Sequence, residues 1–137
     1  MRLAFALLLL AGCGETRLVV AMVAENNSGQ SGTATLEEEG KALHVNLELK
    51  ALEGETLPQK VHFHRGQCGE ISTPVIEYPG TSKKVALELA SVRDDGMVRS
   101  LNTLEGIKLG DVTDGTWVLN VHDPRDNSLY TSCGNVR

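Results

Sequence analysis

Apolar residues recur at every second position along much of this chain, and turn residues punctuate the runs. Leu43, Val45, Leu47 and Leu49 alternate with His44, Asn46, Glu48 and Lys50. A strand points successive side chains to opposite faces, so this stretch is predicted to be a strand with one buried face and one wet face. The same period of two runs through Val61 and Phe63 against His62 and His64, and through Val85, Leu87 and Leu89 against Ala86 and Glu88. It returns in Trp117, Leu119 and Val121 against Thr116, Val118, Asn120 and His122. Leu18–Ala24 is a continuous apolar run, and Thr33–Leu36 is short and β-branched. Residues 25–29 and the segment Ala51–Gln59, with Gly54 and Pro58, read as loops. Glu39-Gly40, Pro79-Gly80, Asp94-Asp95-Gly96 and Asp114-Gly115 read as turns. Val98–Leu109 fits two readings: Leu101, Leu104 and Ile107 suit a short helix or a turn, with Ser100 as an N-cap and Glu105 further in. Short strands spaced by turns, with almost no helix signal, predict an all-β antiparallel sandwich or barrel.

The first residues, MRLAFALLLLAGC, follow a different logic. Arg2 supplies a positive start. The apolar run Leu3–Leu10 falls far short of the roughly 20 residues that a membrane-spanning helix needs. Leu10-Ala11-Gly12-Cys13 resembles a bacterial lipobox. That resemblance implies cleavage before Cys13, acylation of Cys13 and attachment to a lipid bilayer. The expected layout is a lipoprotein signal peptide over 1–12, a lipidated tether over 13–17 and a β-barrel domain over 18–137. Its expected place is the cell envelope, lipid-anchored and facing the periplasm or the cell exterior.

Composition narrows the function classes. A chain of 137 residues closes one hydrophobic core. Aromatics are only 4%, so that core is built from Val, Leu, Ile and Ala. The net charge is −5 and no Lys/Arg cluster is present, which argues against nucleic-acid binding, because phosphate contacts need grouped cations. Hydrolase chemistry lacks support, since there is no Gly-x-Ser-x-Gly and no free cysteine suited to act as a nucleophile. The acidic run Asp123-Pro124-Arg125-Asp126-Asn127 lacks calcium-loop spacing and reads as a solvated turn.

Three cysteines are present: Cys13, Cys68 and Cys133. A lipid on Cys13 leaves an even pair, and an even pair in an oxidising compartment reads as one disulfide, Cys68–Cys133. Two free buried thiols are the alternative. The histidines carry the candidate chemistry. His62 and His64 lie at i and i+2 on one strand, so they share a face with Cα atoms roughly 6.5–7 Å apart, close enough to converge on one ion. His122 ends a strand whose apolar face is Trp117, Leu119 and Val121, so it too lies on a polar face. A neighbouring-strand arrangement would gather all three outside the core. The competing reading is a solvent-facing His-x-His with no ligand. His44 is isolated on its wet face and reads as a surface residue.

Taken in order, Ser31–Leu36, His44–Leu49, VHFHRGQC at 61–68, WVLNVHDP at 117–124 and Tyr130–Val136 are similar to the copper/zinc superoxide dismutase superfamily over about residues 18–137. The resemblance implies an eight-stranded antiparallel Greek-key barrel, with His62, His64 and His122 as copper ligands and Cys68 and Cys133 as the intrasubunit disulfide. There are departures. No histidine occurs between His64 and His122, so the bridging ligand and the zinc site are missing and zinc is not expected. Tyr130 stands where the enzymes carry an arginine. The main expectation is therefore an exported, membrane-anchored dismutase-like lipoprotein with copper on three histidines, weak or absent dismutation and no assigned catalytic residue. The alternative is a non-catalytic β-sandwich, an envelope scaffold or partner-binding module that has lost metal chemistry.

Overall fold

The computed structural model describes residues 16–90 and 93–137. The signal peptide, Cys13 and most of the tether lie outside the described residues. The chain forms β1 (Arg17–Ala24), β2 (Gly32–Glu39), β3 (Ala42–Lys50), β4 (Gln59–Gln67), β5 (Glu70–Val75), β6 (Leu87–Leu89), β7 (Arg93–Asp94), β8 (Met97–Glu105), the single turn α1 (Leu109–Val112), β9 (Trp117–His122) and β10 (Tyr130–Val136). Nine strands follow one path, β5-β4-β9-β10-β1-β2-β3-β8-β7, with β6 attached to β4. The pairings are antiparallel. The all-β expectation holds, with two short strands, β6 and β7, added to the expected eight.

β1 joins the two leaves of the sandwich. Arg17 to Met22 pair with β2, whereas Val23 and Ala24 pair with Cys133 and Ser132 of β10. Its inward residues Val20 and Met22 enter the same core as Leu36, Leu43, Val45, Leu47 and Leu49 from β2 and β3. Val61 and Phe63 of β4 and Leu119 and Val121 of β9 meet them from the opposite leaf. Burial of these aliphatic faces is the main stabilising term, because each such side chain removed from water contributes about 1.5–3 kcal/mol.

Val98–Leu109 departs from the helix-or-turn expectation. Its first part is β8, which pairs with β3 over nine residues. The alternation was hidden because two inward positions, Ser100 and Asn102, are polar. Both take the place of a strand partner. Asn102 Oδ1 accepts from the Glu88 N–H at 2.9 Å, and Asn102 Nδ2 donates to the Glu88 carbonyl at 3.0 Å. Ser100 Oγ accepts from the Ala90 N–H at 2.7 Å. These side chains link β8 to the segment around β6 and draw the two leaves together.

Cys68 and Cys133 are joined by a disulfide with an S–S distance of 2.03 Å, tying the β4–β5 turn to β10. The Cys68 N–H also donates to Asn135 Oδ1 at 2.9 Å. Beside the disulfide, Gly134 lies against β1: a Cβ there would stand 2.6 Å from both Met22 Sδ and Val20 Cγ1. Only glycine permits that approach.

Candidate functional site

β4 and β9 are neighbours, with Val61 opposite Val121 and Phe63 opposite Leu119 on the core side. Period-two geometry then sends His62 and His64 to the other side of the leaf, together with Asn120 and His122. The three imidazoles meet there. Ring centroids are 4.9 Å apart for His62 and His122, and 5.7 Å apart for each of the other two pairs. One ligand nitrogen from each ring lies within 4.8 Å of the others. The structure thus brings the three histidines together, and leaves His44 on β3, where Nδ1 lies 3.1 Å from Thr103 Oγ1 and Nε2 lies 3.6 Å from Glu39 Oε2.

The face is not as wet as the alternation implied. His64 and His122 are only 6% and 7% exposed. Tyr130, opposite His122 in the register with β10, lays its ring 4.9 Å from that of His122 and 5.9 Å from that of His64. A β-bulge between Tyr130 and Ser132 sets this position. Burial, and secondarily the charge of Glu25, pushes the Tyr130 phenol pKa up, so it stays protonated at neutral pH.

Hydrogen bonds define which nitrogens are free. His122 Nδ1 lies 2.8 Å from the Asn127 carbonyl, and His64 Nδ1 lies 3.2 Å from the Ser72 carbonyl. A carbonyl only accepts, so both Nδ1 atoms carry the proton and both Nε2 atoms keep their lone pairs. His62 Nδ1 lies 2.9 Å from His122 Nε2 and donates to it. His64 Nε2 is buried and has no hydrogen-bonding partner among the described residues. Burial, reinforced by the neighbouring His122 and His64, pulls the His62 pKa down to about 4. Burial followed by the proximity of His122 lowers that of His64. These two rings are therefore neutral at physiological pH.

A buried polar network fixes the strand end behind the triad. Gln59 Nε2 lies 3.0 Å from the His122 carbonyl, from Thr131 Oγ1 and from Gln30 Oε1, and its two hydrogens are shared among these three acceptors. Gln30 Nε2 donates to Gln59 Oε1 at 2.8 Å, and Thr131 Oγ1 donates to Gln30 Oε1 at 2.6 Å. Complete satisfaction makes such a network rigid. Sequence reasoning noted Tyr130 only as a departure from the dismutase pattern and passed over Asn120 as a contributor to the site. Asn120 had a usable signal, since it shares a strand face with His122. The packing of Tyr130 on the rings had no local signal, because it depends on the bulge.

Residues 15–129 match the family described as the CHRD domain, which is most of the chain. This chain belongs to the CHRD domain family. No curated protein and no solved structure matches it. The CHRD assignment overturns the resemblance to copper/zinc superoxide dismutases, and with it the dismutase-like lipoprotein reading and the family argument that named copper as the ion. The physical reason lies in the motifs. His-x-His, Val-His and a late Cys-Gly are short pieces that specify outward imidazoles and a disulfide on antiparallel strands, and more than one family can be built that way. In this CHRD domain the matched residues end just before β10, so Tyr130 and Cys133 lie beyond them.

Proposed function

We propose that this CHRD chain is a non-catalytic β-sandwich module of the cell envelope, a scaffold or partner-binding domain held at the bilayer through a lipid on Cys13. The observation that carries the reading is the CHRD match over residues 15–129. Two features support the compartment. The Leu10-Ala11-Gly12-Cys13 pattern suits lipid attachment. The Cys68–Cys133 bridge suits an oxidising environment.

Cell fractionation of the wild type and of Cys13→Ala tests the anchor. The wild type should sediment with membranes, and the variant should move to the soluble fraction. An unchanged distribution contradicts the anchor. Superoxide consumption by the purified protein, with and without added copper, tests the non-catalytic claim. It should not exceed the buffer rate, and turnover abolished by His62→Ala would contradict it.

A further inference from the structure

We propose that His62, His64 and His122 form a binding site for a single late first-row transition-metal ion, taken by Nδ1 of His62 and Nε2 of His64 and of His122. The inference goes beyond the module reading and is independent of how the domain is anchored.

Three observations converge on it. The first is distance. One ring nitrogen of each histidine lies within 4.8 Å of one from each of the others, and His62 Nδ1 and His122 Nε2 are 2.9 Å apart. Two imidazole nitrogens on one tetrahedral ion stand roughly 3.3 Å apart, given bonds of about 2.0–2.1 Å. The His62–His122 pair already stands near that spacing. The second is the unused nitrogen. A histidine cluster that served only packing would satisfy its buried atoms, yet His64 Nε2 has no partner among the described residues. The Asn120 side-chain amide, cross-strand from His62, is likewise buried with neither atom partnered.

The third is outer-shell support. Metal-ligating histidines characteristically donate the other ring N–H to a carbonyl, which fixes the tautomer and raises the basicity of the ligating nitrogen. His64 does this with Ser72, and His122 with Asn127. His62 is the ring that adjusts. In the structure its Nδ1–H donates to His122 Nε2, and shifting that proton to its own Nε2 releases the third lone pair. Imidazoles are borderline donors that suit zinc, copper and nickel ions. The second nearby grouping, Glu25 with Cys68 and Cys133, offers no such site, because both sulfurs are committed to the disulfide.

The test is a titration of the chelator-stripped, purified protein with Zn²⁺, Cu²⁺ and, under reducing but cystine-preserving conditions, Cu⁺. At least one ion should bind with a stoichiometry of one. His62→Gln and His122→Gln should each weaken binding about tenfold or more. His44→Gln should bind like the wild type. Absence of binding for all three ions overturns the proposal, as does equal weakening by His44→Gln. Should the triad variants fail to fold, NMR of the wild type decides: the ion that binds, Zn²⁺ or Cu⁺ by chemical shift or Cu²⁺ by paramagnetic broadening, should perturb the ring resonances of His62, His64 and His122 and spare those of His44, and any other pattern overturns it.

Discussion

His62 Nδ1 and His122 Nε2 face each other across 2.9 Å, so a proton added to His62 places a positive charge against a second imidazole in a half-buried pocket. Burial and this neighbour hold the His62 pKa near 4, against 6.5 in the unfolded chain. Between those values the unfolded state binds more protons than the folded one, so stability rises with pH. The contribution is fully present above pH 6.5 and is lost as pH falls through 4. His64 acts in the same direction. Urea denaturation of the metal-free protein should show the midpoint falling across this window, and His62→Gln should flatten the fall. A wild-type midpoint constant from pH 7 to pH 4 would contradict the burial of these rings.

The disulfide spans a sequence separation of 65 residues. Closing a loop of that size removes denatured-state entropy worth about 4 kcal/mol in the chain-entropy model. Cys68→Ser/Cys133→Ser should lower the unfolding free energy by an amount of that order, measured by chemical denaturation. A loss under about 1 kcal/mol would show that the bridge is incidental.

Gly134→Ala should destabilise the protein by about 1–3 kcal/mol, because the new methyl meets Met22, Val20 and the Ala21 carbonyl in a close-packed layer. Thermal unfolding measures the effect. Met22→Ala should relieve part of the added cost in the double variant, as residues in contact couple.

Asn102→Ala should free the Glu88 amide and carbonyl, which have the Asn102 side chain as partner. The expected loss is about 1–2 kcal/mol, with faster hydrogen exchange at the Glu88 amide. Unchanged exchange there would show that β6 is held to β8 by other contacts.

The strands with aliphatic inner faces were legible in the sequence. Leu43 to Leu49 and Val61 to Phe63 take the predicted alternation, and Trp117, Leu119 and Val121 enter the core as predicted, although all six residues of β9 are buried. β8 was not, since Ser100 and Asn102 occupy inward positions where a pattern search expects apolar residues. Nor was β5, an edge strand whose exposed residues and Pro74 carry no alternating signal. The meeting of His62, His64 and His122 could be read from parity alone, because i, i+2 spacing and a neighbouring strand fix the shared face. Their burial could not, because Tyr130 reaches them through a bulge that no local pattern announces. The family could not be read from the motifs either, since outward histidines and a late cystine are features that any exported antiparallel sandwich can evolve.

Anomalous diffraction from crystals of the protein loaded with Zn²⁺ or Cu²⁺, recorded at the absorption edge of the ion, locates the bound ion directly. One strong peak should lie about 2 Å from a ring nitrogen of each of His62, His64 and His122. A peak elsewhere, or three rings turned to separate patches of surface with no ion between them, would contradict the three-histidine site.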